Sequence, residues 1–166
     1  MSVFKILKRL RFCISKIKQE DSKLIYTNSD GGARGNPGPG AIGVVVRDDE
    51  KILIEHASMV GSFVTNNVCE YEGLIKALAL AATVTDKEVT CIMDSELVVK
   101  QLLGEYKVKH PKMRELFLKV QALLDKFEKV KFQHARREDI NQSKADALLN
   151  KELAKHGFPK KIYKKH

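Results

Sequence analysis

The sequence predicts an α/β domain built on a mixed five-stranded sheet flanked by helices. Three observations lead there. Three strand-like segments follow one another near the start, the pattern of an antiparallel meander. The order then changes to helix, strand, helix, helix, strand, helix. At 166 residues and 43% hydrophobic content, the chain holds one domain with a sizeable core and is too short for two.

The elements follow in order. Residues 3–17 place Val3, Ile6, Leu10 and Ile17 at helical spacing among Lys5, Arg9, Arg11 and Lys16, which reads as a basic amphipathic helix. It can bind a phosphate backbone, lie on an anionic membrane, act as an organellar presequence, dock on the domain, or be an appendage with no sequence-specific role. Residues 1–22 are thus an extension and 23–154 the globular domain. Leu24 to Ser29 reads as the first strand, so Asp30 stands at a strand end, before the glycine- and proline-rich stretch DGGARGNPGPG. The small residues Gly31, Gly32 and Ala33 keep bulk away, so that another molecule could approach the backbone. Ile42 to Arg47 and Lys51 to Met59 form a hairpin through the turn Asp48 to Glu50. Thr65 to Asn67 starts a helix that Tyr71 to Val84 continues.

Val89 to Met93 is a short strand ending at Asp94, followed by a helix to Leu103 that Gly104 stops. A basic connector, EYKVKHPKM, places Pro111 at the start of the helix Lys112 to Phe127. Lys129 to His134 is the last strand. The polar loop ARREDINQ then leads to a helix from Ser143 to roughly Ala154, and residues 155–166 read as a mobile basic tail.

The formal charge of +9 is concentrated at the ends. Residues 1–20 carry six Lys/Arg and one acid, and residues 151–166 six Lys and one acid, which leaves 18 basic and 19 acidic residues between them. The ends read as electrostatic arms, and the middle binds nucleic acid only by setting basic patches beside a metal-neutralised acidic pocket. Cys13, Cys69 and Cys91 are odd in number and far apart, which fits neither a disulfide framework nor a zinc site. No apolar run is long enough to span a bilayer and no secretory leader is evident, so a soluble, cytoplasmic protein is expected, with organellar targeting by the basic helix left open.

Gly38-Pro-Gly40-Ala-Ile-Gly43 matches a dinucleotide-binding fingerprint, but a strand continues where that motif needs a helix to open. The chemistry lies elsewhere, in four acids: Asp30 and Asp94 at strand ends, Glu70 early in one helix and Asp146 early in the last. Crowded carboxylates repel unless a divalent cation neutralises them, and Mg²⁺ takes such oxygen ligands together with substrate phosphates. Each acid also has an ordinary reading. Asp30 can start a turn, Asp94 can cap a helix, and Glu70 and Asp146 can be first-turn acids favoured by the helix dipole.

Four segments carry a resemblance: DGGARGNPGPG, TNNVCEYEGLIKAL, MDSELVVKQL with GEYKVKHPKMREL, and the terminal N-x-x-x-AD-x-L. Together they resemble type 1 ribonuclease H, in its branch without the basic handle, from about Lys23 to Leu153. The resemblance implies a ribonuclease H-like fold in which Asp30, Glu70, Asp94 and Asp146 hold two Mg²⁺ ions, with Mn²⁺ as a substitute, and cut the RNA strand of an RNA/DNA hybrid to 5′-phosphate and 3′-hydroxyl ends. It further implies RNA contacts from Gly31, Gly32 and Ala33, contacts to the two strands from Asn36, Asn66 and Asn67, and a DNA-phosphate contact from Thr65.

Departures from the family pattern are informative. Glu96 stands where a glutamine that reads the minor groove is common, the chain has no tryptophan, and the handle between Leu103 and Pro111 is missing. Tyr106, with Lys107 and Lys109, either packs on the DNA strand or is a partly buried connector residue. Arg136 or Arg137 is implied as the loop residue that assists catalysis, with His134 at the strand end. A monomer that takes RNA/DNA hybrid is the expected form, with double-stranded RNA left open as a second partner. The competing reading is a non-catalytic hybrid- or duplex-binding module, against which the presence of all four acids weighs.

Overall fold

The computed structural model describes residues 23–136 and 138–160. The extension 1–22 with Cys13, the candidate Arg137, and residues 161–166 lie outside the described residues. The chain runs β1 (Ile25–Ala33), β2 (Gly38–Arg47), β3 (Ile52–Val64), α1 (Asn66–Ala81), β4 (Glu88–Met93), α2 (Glu96–Leu102), α3 (Pro111–Leu124), β5 (Lys129–His134) and α4 (Ile140–Lys155). The sheet order is β3-β2-β1-β4-β5. β1 to β3 form the antiparallel meander, whereas β1, β4 and β5 are parallel, giving the mixed sheet.

The glycine-rich stretch corrects the sequence reading. It is mostly strand: β1 continues through Ala33, β2 begins at Gly38, and only Arg34 to Pro37 turn, closed by the Arg34 N–H donating to the Pro39 carbonyl at 2.8 Å. Asp30 is therefore inside β1, paired with Gly43 of β2. It still marks an end on one side, because the parallel ladder to β4 stops at Ser29 and Met93. Glycines are used here because backbones meet across the sheet. A Cβ on Gly31 would collide with the Cys69 carbonyl and the Glu70 amide of α1, and one on Gly43 with the Ala145 carbonyl of α4. Gly31 thus makes room for a helix of the same chain.

The two faces of the sheet are covered differently. One face packs Val44, Val46, Val89 and Met93 against Leu74 and Leu78 of α1 and Leu116 and Val120 of α3, forming the main core. On the other face α4 presses Leu149 and Leu153 onto Ala41, with Met59 alongside. Both free thiols among the described residues, Cys69 and Cys91, are buried, and burial pushes each up to about 12. No helix among the described residues is long and apolar enough to cross a membrane.

Helix ends refine the acid positions. Thr65 caps α1, its hydroxyl accepting from the Val68 N–H at 3.3 Å, so Glu70 lies beyond the first turn. Ser95, and not Asp94, caps α2. α4 begins at Ile140, three residues before the expected start, capped by Asp139, which accepts from the Asn141 and Gln142 N–H groups, and this places Asp146 past the first turn as well. The dipole and cap readings of these acids therefore fall away.

The tail also departs from expectation. Gly157 takes φ +89 and turns the chain back, so that the Phe158 N–H donates to the Leu153 carbonyl at 2.8 Å. The Phe158 carbonyl in turn accepts from Nε of Arg34 at 3.1 Å. Residues 157–160, though exposed, thus lie beside the β1–β2 turn and meet it through this bond.

Candidate metal centre

Three acids from three elements converge. Asp30 of β1, Glu70 of α1 and Asp94, one residue past β4, each bring one carboxylate oxygen within 4.8 Å of the others. The close approach of β1 to α1 at Gly31 sets the first two together, and the parallel pairing of β1 with β4 sets the third beside them. Asp30 is buried, Glu70 half-buried and Asp94 exposed, so the cluster opens from the sheet toward solvent.

The cluster's electrostatics are unbalanced. Burial, with repulsion from Asp94 and then Asp146, pushes Asp30 up to about 7. Burial also pushes Glu70 up to about 10, with Asp30 and Asp94 adding to it. Asp94 is raised too, chiefly by burial. Moreover, Glu70 Oε2 is buried with no hydrogen-bond partner. A buried, orphaned carboxylate oxygen aimed among acids is what a hard divalent cation satisfies, and the all-oxygen donor set fits Mg²⁺ or Mn²⁺.

Asp146 stands beside the trio. It lines an open groove with Asp94, His134, Arg136 and Gln142, and its charge acts on both Asp30 and Asp94. Its Oδ1 accepts from Nδ2 of Asn150 at 2.7 Å. Arg136 is exposed on the loop wall of this groove, and His134, the last residue of β5, places Nε2 3.0 Å from the Asp94 carbonyl.

The other candidates occupy two places. Asn36, Thr65 and Asn67 line a second open groove together with Phe63, His110 and Lys112. Asn66 ties the start of α1 to the end of β1 and the β1–β2 turn instead: its Oδ1 accepts from the Ala33 N–H at 2.9 Å and its own N–H donates to Oδ1 of Asn36 at 3.1 Å. Gly32 backs onto Leu149 of α4. Tyr106 is exposed on the connector with Lys107 and Lys109, and Lys100 lies over its ring at 5.0 Å. Lys100 also pairs with Glu96 at 2.7 Å, which offsets the negative charge of Glu96.

Several supporting residues escaped the sequence reading. Gln142 donates to the Ser29 carbonyl at 2.8 Å, and Asn28 donates to Asp139 and Gln142, each at 3.3 Å, so α4 is tied to β1 beside Asp30. The spacing of Gln142 and Asp146, one helical turn, is the signal that puts both on one face. Phe63, His110 and Lys112 carried no comparable signal, since only the fold brings the end of β3 to the start of α3.

A family model described as reverse transcriptase-like matches residues 28–151. A bifunctional protein of Mycobacterium tuberculosis is 40% identical over 128 residues, which cover 76% of this chain and 34% of that protein. The chain therefore spans about a third of the length of that curated relative. The solved N-terminal RNase H domain of the same mycobacterial protein superposes with a TM-score of 0.76 at 37% identity, covering 82% of this chain and 97% of the domain. Ribonuclease HI of Halobacterium salinarum is 37% identical over 130 residues, 78% of this chain and 64% of its own. A compost-derived RNase H1, solved in complex with an RNA/DNA hybrid, superposes with a TM-score of 0.72 at 40% identity over 80% of this chain and 98% of its own. A likeness that runs through nearly the whole of these solved domains, over the same sheet that gathers the acids, makes this chain a member of the type 1 ribonuclease H family.

Proposed function

We propose that this chain hydrolyses the RNA strand of RNA/DNA hybrids, leaving 5′-phosphate and 3′-hydroxyl ends. The carrying observation is the convergence of Asp30, Glu70 and Asp94 with an unpaired buried oxygen on Glu70. Asp30, Glu70, Asp94 and Asp146 would hold two divalent cations, Mg²⁺ or Mn²⁺. When bound, the metals supply an activated water and charge neutralisation at the scissile phosphate.

The chain's own residues do the rest. Asp30 and Glu70 form the buried floor of the site, fixed by the β1–α1 contact, and Asp94 forms its exposed rim. Arg136 presents positive charge on the loop wall of the groove, where it offsets charge that develops on the phosphate, and Arg137, outside the described residues, is the other candidate for this role. Thr65 uses its oxygen as an acceptor for the cap, so its hydroxyl hydrogen is free for a DNA phosphate, with Asn36, Asn67 and Lys112 in the same groove. Tyr106, Lys107 and Lys109 extend that strand's path along the connector. Discrimination of RNA from DNA rests on the 2′-hydroxyl, which only the cut strand carries. The relative solved with a hybrid supports this substrate over others.

Labelled hybrid, double-stranded RNA and duplex DNA offered side by side with Mg²⁺ or Mn²⁺ test the proposal. Cleavage confined to the RNA strand of the hybrid is expected, with Asp94→Asn lowering kcat by about 100-fold or more. Binding of the hybrid without cleavage under either metal favours the non-catalytic module instead, and an Asp94→Asn chain as active as the parent overturns the assignment.

A further inference from the structure

Asp146 differs from the other three acids in how it is held. It comes from α4, on the opposite face of the sheet from α1, and its direction depends on side-chain contacts. Nδ2 of Asn150, one turn further along α4, donates to both Oδ1 and the backbone carbonyl of Asp146, each at 2.7 Å. On its other side, Oδ1 of Asn150 accepts from Nη2 of Arg34 at 2.6 Å. Arg34 stands in the β1–β2 turn, and its Nε donates to the Phe158 carbonyl of the docked tail at 3.1 Å.

We propose that Arg34 and Asn150 form a positioning clamp for Asp146, anchored by the C-terminal tail. The logic lies in donor and acceptor capacity. An asparagine amide has a donor end and an acceptor end, and the two acceptors of Asp146 take the first while Arg34 holds the second, so the contacts on both sides select one flip. A guanidinium has donors only, so Arg34 requires the oxygen of Asn150 and thereby turns the NH₂ group toward the carboxylate. The opposite flip would set an amide oxygen against a carboxylate oxygen and leave Arg34 facing NH₂. The Phe158 carbonyl, brought back by the positive φ of Gly157, fixes the guanidinium through a second donor. One oxygen of Asp146 is thereby engaged and the other is left for the site. Arg34 and Asn150 are positioning residues, since each acts on the reaction only through Asp146.

The clamp rests on the reading of the four acids as a metal site, so its test reads metal binding as well as turnover. The full-length chain is compared with Arg34→Ala, Asn150→Ala, the double variant and Arg34→Lys, by calorimetric titration of the metal-free protein with Mn²⁺ and by hybrid cleavage. Each single alanine variant should weaken Mn²⁺ binding and lower kcat by about 10-fold, the usual effect of removing a group that orients a metal ligand. KM for the hybrid should stay within about two-fold, because substrate binding is not the affected step. The double variant should be no worse than Asn150→Ala, since Arg34 works through Asn150. Arg34→Lys should not rescue, because one ammonium does not reproduce a two-pronged fork.

Additive losses in the double variant overturn the clamp. A raised KM with unchanged kcat, rescued by Arg34→Lys, also overturns it and makes Arg34 a direct phosphate contact. So does unchanged Mn²⁺ affinity throughout. Thermal unfolding accompanies each variant, and if Asn150→Ala loses the fold, Arg34→Ala in the surface turn decides the matter. A parent chain that binds Mn²⁺ but leaves the hybrid intact sinks the hydrolase reading alone, and the clamp is then judged by Mn²⁺ affinity.

Discussion

Gly31 shows how closely the site depends on one absent side chain. The position is buried between β1 and the first turns of α1, and a Cβ there would overlap backbone atoms of Cys69 and Glu70. Backbone cannot rotate aside as the end of a side chain can, so Gly31→Ala must push α1 away from β1. Overpacking of this kind costs about 3 kcal/mol, which for a chain of this length corresponds to a fall in Tm of roughly 10 °C. The same shift separates Glu70 from Asp30, so Mn²⁺ affinity should fall with stability. A Gly31→Ala chain that melts like the parent would falsify the contact. Sequence reasoning recognised that small residues matter here but assigned them to an open loop. The partner of Gly31 lies 38 positions away on α1, and nothing local to DGGARGNPGPG names it.

Among the secondary-structure elements, those with strong local signals were legible and those ordered by distant contacts were not. The segments Val89 to Met93 and Lys129 to His134 are apolar or alternating runs between polar joints, and both are strands within a residue of the expected bounds. The start of α4 was missed because its first residue, Ile140, is 81% exposed and its cap, Asp139, sits in a charged loop without an apolar period. The β2–β3 hairpin was legible through its acidic turn, and the structure adds a cause. Buried Asp48 accepts from the Glu50 and Lys51 N–H groups, both at 2.8 Å, and pairs with Lys23. Those backbone N–H groups, that of Lys51 first, lower its pKa. A carboxylate whose folded pKa lies below its unfolded value stabilises the fold at pH values above the unfolded pKa, and that contribution disappears as pH falls through the folded one. Asp48→Ala should therefore lower Tm near neutral pH and match the parent once both are measured well below the ordinary aspartate range. A Tm difference independent of pH would show that Asp48 acts by packing alone.

For the molecule as a whole, charge and fold divide the work between the termini and the domain. Residues 23–160 are close to neutral, with 21 Lys/Arg against 19 Asp/Glu, whereas residues 1–22 hold six Lys/Arg against two acids and residues 161–166 add three Lys. The excess charge thus belongs to residues outside the described ones, while the groove residues and the acid cluster lie within them. Two kinds of binding should separate accordingly. Phosphate contacts by the ends are sequence- and strand-blind and release counterions, so they steepen the salt dependence of affinity. On the proposed function, recognition of the hybrid rests on the grooves and should not change. The division must be drawn after residue 160, since a cut at 154 also removes the Phe158 anchor of Arg34 and mixes loss of charge with loss of positioning. A shortened chain of residues 23–160 should bind hybrid more weakly at low salt, with a shallower slope of log affinity against log salt. Its preference for hybrid over double-stranded RNA should equal that of the full chain. An unchanged slope would show that the basic ends take no part in binding. A changed preference would show that they read the duplex as well as its charge.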